Sequence, residues 1–180
     1  MRVNKKISCV VLAAAVLVLG ACQTQLRAET STRSKQWSVQ VDNVEPGDVN
    51  LDPAFRVAIY ENLLAELTKA DRFKRVFRSG DRDANGAPAL LVLKTMVESY
   101  TPGSETRRAV TTVSGATKLK VRAQLCSPEG QVIWERTVDG NVRFFGANLR
   151  ATHNLARNVV HSIQQSTLPP PSAQASASGN

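Results

Sequence analysis

From Lys118 to Leu125 the chain alternates without a break: Leu119, Val121, Ala123 and Leu125 are apolar, while Lys118, Lys120, Arg122 and Gln124 are not. A period of two places each set on its own face, so the stretch reads as a β-strand with one buried and one solvated side. Ser127-Pro128-Glu129-Gly130 supplies a turn, and Val132 to Val142 returns as the next strand. If that turn closes a four-residue hairpin, Leu125 faces Val132, Ala123 faces Trp134, Arg122 faces Glu135 and Lys118 faces Asp139. Arg136 then falls opposite Val121 on the apolar face. Either its stem snorkels to the sheet edge or the register is off by one.

The hairpin needs partners for its apolar face, and the rest of the chain offers them. Trp37, Val39 and Val41 alternate with Ser38, Gln40 and Asp42 as a first strand. Asp52-Pro53 has the form of a helix start, with an N-cap aspartate and proline at the first helical position. Phe55, Ile59, Leu63 and Leu67 then recur at four-residue steps, which predicts an amphipathic helix to about Ala70. Phe73, Val76 and Phe77 begin a short second strand, and Ala89 to Tyr100 is apolar and β-branched enough for a central one. Thr101 to Thr117, rich in Gly, Ser and Thr, reads as a long loop. Ala147 to Ser166 predicts a last helix with Thr152, Ala156, Val159 and Ile163 as its buried stripe. The expected fold is α/β in the α+β sense: a two-layer sandwich of a mostly antiparallel sheet of about four to five strands, with two helices packed on one face.

The amino terminus is of another kind. Arg2, Lys5 and Lys6 precede an uncharged apolar run from Ile7 to Leu19, too short to span a bilayer, which needs ~20 residues. Leu19-Gly20-Ala21-Cys22 follows and resembles the bacterial lipobox. That resemblance implies lipid on the Cys22 thiol and cleavage between Ala21 and Cys22. Two or more acyl chains hold a protein stably on a membrane, where one holds it marginally. Gln23 after the cysteine, where an Asp would imply inner-membrane retention, implies the outer membrane, with the domain facing the periplasm. The organisation expected is a leader over 1–21, a lipidated cysteine and polar tether over 22–36, one domain over 37–167, and a Pro/Ser/Ala tail over 168–180. The tether, if flexible, spans about 20 Å root-mean-square.

Removing the leader changes the arithmetic. The full chain has net charge +8, of which three basic residues leave with the leader, so the remaining 159 residues carry +5. Cys9 leaves too and Cys22 carries lipid, so Cys126 has no partner for an intramolecular disulfide. With no His near it in sequence, Cys126 reads as a small, partly buried residue at a strand end.

Catalytic and metal motifs are weak. Asp81-Arg82-Asp83-Ala84-Asn85-Gly86 matches the first half of a calcium loop, but Ala89 and Val92 stand where its later ligands belong, so an exposed polar turn is the better reading. His153 and His161 lie eight apart on one helix, ~12 Å along its axis, too far to share a metal. The chain has no Gly-x-Ser-x-Gly elbow and no glycine-rich phosphate loop. No catalytic residue and no cofactor is expected. Basic residues gather at Arg72, Lys74, Arg75, Arg78 and Arg82, at Arg107 and Arg108, and along Lys118, Lys120 and Arg122. Arg107, Arg108, Lys118, Lys120 and Arg122 form a candidate partner surface for an envelope protein or an anionic envelope component. The plainer reading is a solvated face paired with nearby carboxylates. An exported chain does not meet nucleic acid.

From Phe73 onward the chain resembles the bacterial family known as domain of unknown function 4410. The resemblance rests on Phe73-Lys74-Arg75-Val76, on Tyr100-Thr101-Pro102-Gly103 followed by Arg107-Arg108, on the Leu119 to Leu125 alternation, on Gly130 with Val132, and on Phe145-Gly146. It departs at Ala109 to Val113, where the family passes quickly through glycines, and at Ser127-Pro128, where an aspartate often starts the turn. It implies an envelope lipoprotein and carries over no catalytic residue. The sandwich is also similar, more distantly, to those of the curli secretion lipoprotein and the penicillin-binding-protein activators, an analogy of fold alone. The function expected is a non-catalytic, lipid-anchored scaffold or binding domain. The alternatives are a periplasmic enzyme of unrecognised type, or a module carrying a lipid or small ligand in an apolar cavity.

Overall fold

The computed structural model describes residues 36–110, 115–142 and 147–171, all within a compact unit that begins at Lys35. The leader, Cys22 and the tether as far as 35 lie outside the described residues, as do 172–180. Five strands form one open sheet in the order β2-β1-β3-β4-β5: β1 (Ser38–Glu45), β2 (Val76–Phe77), β3 (Leu90–Thr101), β4 (Thr117–Cys126) and β5 (Val132–Val142). The two long ladders, β3–β4 and β4–β5, are antiparallel. The short ones, β1–β2 and β1–β3, are parallel. Helices α1 (Pro53–Lys69) and α3 (Arg150–Gln165) supply the second layer, and a one-and-a-half-turn helix α2 (Glu105–Val110) sits between β3 and β4. The fold is thus α+β with a mostly antiparallel sheet, as the alternation predicts.

α1 begins as its sequence dictates. Asp52 accepts from the Ala54 amide at 2.7 Å, and Pro53 takes the first position, where its missing N–H costs nothing. Ile59, Leu63, Leu64 and Leu67 are buried. On α3 the stripe Thr152, Ala156, Val159 and Ile163 is buried, joined by Ala151, Leu155 and Val160. These side chains meet Val39 and Val41 of β1, Leu91, Leu93 and Val97 of β3, and Leu119, Val121, Ala123 and Leu125 of β4. Burying each large aliphatic side chain contributes about 1.5–3 kcal/mol, and that interior holds the two layers together. The turn after β1 lies close against β3: Gly47 has φ +57°, and a Cβ there would stand 2.6 Å from the Val97 carbonyl oxygen.

Four expectations are corrected. Thr101 to Thr117 is not a bare loop: β3 runs through Thr101, Ser104 Oγ accepts from the Arg107 amide at 3.3 Å, and α2 follows. The last helix starts at Arg150 rather than Ala147, after a turn in which the Arg150 amide donates to the Ala147 carbonyl at 3.0 Å. The hairpin is shifted by two: Leu125 stands opposite Trp134, Ala123 opposite Arg136, Arg122 opposite Thr137 and Lys120 opposite Asp139. One extra residue enters the turn, since Cys126 pairs with Val132, and another enters as a bulge beside it. Finally, the first residues read as tail belong to the domain. Leu168 packs on the core and the Pro169 carbonyl accepts from the Trp37 indole at 3.0 Å.

Candidate functional site

Because α1 and α3 cover one side of the sheet, the other side is open among the described residues. β4 lies between β3 and the outermost strand β5, and its alternation sends Lys118, Lys120 and Arg122 onto that open face, opposite the buried Leu119, Val121 and Ala123. Lys118 and Lys120 are exposed. Arg122 sits between two carboxylates: its Nε is 2.8 Å from Glu98 of β3 and 3.9 Å from Glu135 of β5. Glu135 also accepts from the Gln124 amide at 2.5 Å. Lys120 stands across from Asp139 on one side and Ser99 on the other. The face is therefore a ridge of cations along β4 flanked by acids on β3 and β5, a mixed-charge surface rather than a uniformly basic one. Lys94, Met96 and Glu45 continue it towards β1, around a shallow depression of about 160 Å³ that also reaches Arg122 and Gln124.

The structure places the other candidates apart from that ridge. Arg107 is exposed on α2, beyond the end of β3. Arg108 lies on the same helix, and its side chain is outside the described residues. The segment bearing them is tied to the turn before α3, for Asn148 donates to the Gly103 carbonyl at 3.2 Å and accepts from Thr117 Oγ1 at 2.6 Å. Three of the five candidate residues thus share one face, and two sit on a separate helix at the sheet's end.

The remaining titratable groups are engaged locally. Asp81 caps a single 3-10 turn (Arg82–Ala84) by accepting from the Asp83 amide at 3.0 Å, and Asp83 pairs with Arg75 at 3.5 Å. The two carboxylates are spent on a polar turn. His161 Nε2 lies 3.3 Å from Gln165 Nε2, and His153 is two turns earlier on the same helix. Among the described residues no group of three or more His, Cys, Asp or Glu side chains is placed to hold a metal ion. Cys126 is buried at the end of β4, where burial pushes its thiol pKa up. Burial, then the nearby Asp52 carboxylate, pushes the Tyr100 hydroxyl up as well, and its ring meets Phe55 in a tilted contact with centroids 4.9 Å apart.

Two features were not foreseen. β5 is eleven residues long and has a sheet neighbour on one side alone among the described residues. Its far half is guarded. Asn154 and Asn158, one turn apart on α3, donate to the carbonyls of Asn141 and Asp139, each at 2.8 Å. Its near half is not covered in this way among the described residues: Val132 is 46% exposed, and Ile133 and Trp134 are half-buried. The second feature is the basic shoulder around β2 at the opposite edge. Arg78 pairs with Glu61 and lies over the Tyr60 ring at 5.5 Å, Arg75 lies over Phe77 at 4.6 Å, and Arg72 donates to the Ser166 carbonyl at 2.7 Å. The sequence shows that cluster of cations. What it does not show is that the cluster forms one end of the sheet.

These features define a class by architecture: an open five-stranded α+β sheet, helices on one face and a charged opposite face. No family model matches the chain, and no curated protein does. The fold is shared with PelC from Paraburkholderia phytofirmans, solved as a dodecamer: 14% identity over 74% of this chain and 91% of that one, TM-score 0.54. A single-substitution variant of the same dodecamer gives 16% identity over 73% and 90%, with TM-score 0.52. A candidate lipoprotein from Caulobacter crescentus superposes more loosely, at 15% identity over 84% and 98%, with TM-score 0.36.

Proposed function

We propose that this protein is a lipid-anchored envelope lipoprotein, held on the outer membrane through lipid on Cys22, whose domain faces the periplasm and binds or scaffolds another envelope component without catalysis. The observation that carries the binding role is the open sheet face. An open sheet normally buries its apolar side and leaves polar residues on the other. Here that other side carries Lys118, Lys120 and Arg122 amid carboxylates, opposite the side chains that β4 buries against the helices. The anchor reading rests on the lipobox. Among the described residues no helix is long and apolar enough to cross a membrane. Metabolic labelling with palmitate tests it: label is expected on the wild type and lost in Cys22→Ser, with the protein released from the membrane fraction. Equal labelling of the two would overturn the anchor. In vivo crosslinking of the lipidated form tests the partner role, and specific turnover of a substrate with no crosslinked partner would reverse it.

A second reading is that the partner includes further copies of this chain. What favours it is that the fold is shared with PelC, which was solved as a dodecamer. Native mass spectrometry of the detergent-solubilised chain is expected to show species above the monomer.

A further inference from the structure

We infer that copies of this chain associate head to tail through the two opposite edges of the sheet, the basic shoulder at β2 of one copy docking on the β5 edge of the next. The inference rests on the self-association reading and names its surfaces. β2 and β5 are the outermost strands of one open sheet, so the two surfaces lie on opposite sides of the molecule. Between Asp71 and Asp83 the chain holds five basic residues, Arg72, Lys74, Arg75, Arg78 and Arg82, against three acids, Asp71, Asp81 and Asp83, an excess of two positive charges. Between Glu129 and Asp139 it holds three acids, Glu129, Glu135 and Asp139, against the single base Arg136. All three of those acids are exposed, as are Lys74 and Arg82, while Arg75 and Arg78 remain more than half exposed within their own ion pairs.

Opposite net charge on opposite edges steers copies side by side and disfavours edge-to-same-edge contact. An uncovered edge strand is a liability that proteins shorten, charge or cover. β2 is two residues long. The far half of β5 is occupied by Asn154 and Asn158, yet among the described residues its near half leaves Val132 exposed, next to the half-buried Ile133 and Trp134 and the exposed Glu135. A next copy would cover that apolar stretch. Contacts between two different surfaces are heterologous, and they close into rings or run on as filaments.

Reversing charge on each edge separately tests this on the full chain in detergent. In sedimentation velocity the wild type is expected to form species above the monomer that dissociate at 1 M salt, where the Debye length falls to about 3 Å. Lys74→Glu with Arg82→Glu is expected to lose assembly, as is Glu135→Lys with Asp139→Lys. Mixing the two variants is expected to restore it, because each then presents the charge the other lacks. Unchanged thermal unfolding of each variant confirms the fold. In a separate mixture, K74C chains and V132C chains are expected to crosslink with each other far more than with themselves. A wild type that stays monomeric overturns the self-association reading itself. A wild type that assembles while both charge-reversed variants assemble equally well overturns these surfaces and leaves self-association standing.

Discussion

The indole N–H of Trp37, one residue before β1, donates to the carbonyl of Pro169, 132 residues later, at 3.0 Å. The bond joins the two ends of the folded domain, and both neighbourhoods are apolar: Trp37 is buried and Leu168 packs on the core. Trp37→Phe keeps much of the ring and removes the donor, leaving a partly buried carbonyl unpaired. The expected loss is about 1 kcal/mol of unfolding free energy, read by urea titration. Deleting 167–180 from the wild type is expected to cost at least as much. No change in the midpoint for either would show that the closing contact contributes nothing.

Gly140 on β5 has no room for a side chain. A Cβ there would stand 2.5 Å from Leu155 Cβ and closer still to the Ala151 carbonyl oxygen. α3 packs directly on the backbone at Gly140, so Gly140→Ala is expected to push the helix away at a cost of about 1–3 kcal/mol. Thermal unfolding measures it. Serine is expected to be at least as harmful, and a neutral effect would mean that α3 sits further from β5.

How far the sequence carries is clearest at the β4–β5 hairpin. Alternation assigns every side chain of β4 to its correct face, because a period of two responds to a change in one residue. It is blind to a shift of two, which leaves all faces unchanged, and the turn and the bulge together add two. The expected Arg122–Glu135 proximity survives as a diagonal contact, while Lys118 gives up Asp139 to Lys120. Arg136 stays on the apolar face, now opposite Ala123, and is exposed because it lies on the outermost strand. α1 and α3 are legible for a similar reason, since a buried stripe at helical spacing needs no knowledge of what covers it. α2 is too short to carry a stripe. Its one local signal is Ser104, an N-cap residue standing just before Glu105. The β5 edge could not be read at all: whether a strand has one neighbour or two is a property of the whole sheet.

Arg122 between Glu98 and Glu135 is a surface network, open to solvent and to salt. Glu98→Gln is expected to lower stability by about 0.5 kcal/mol, within the usual range for exposed pairs. The effect should shrink as ionic strength rises. The useful readout is the contrast: the same substitution is expected to alter crosslinking to a partner more than it alters the melting temperature, if the open face is the partner surface. Unchanged crosslinking by Glu98→Gln and by Lys120→Glu together would move the partner site elsewhere.

Cys126 gives the domain an alkaline signature. Burial raises the thiol pKa above the ordinary value of 9.0 in the folded state. The unfolded chain therefore releases this proton first as pH rises. Below the unfolded value both states hold the proton and the stabilisation is fully present. Above it the unfolded state binds fewer protons than the native state, so stability falls with pH until the folded pKa is passed. Cys126→Ala is expected to flatten the loss of stability between the ordinary thiol value of 9.0 and the folded pKa. Near and above pH 10 the raised Tyr100 hydroxyl contributes in the same direction, so Tyr100→Phe is the control that separates the two groups. The native thiol is also expected to react with a maleimide much more slowly than after unfolding in urea. Rapid modification under native conditions, or an alkaline slope unaltered in Cys126→Ala, would show that the thiol is not held in the interior at the end of β4.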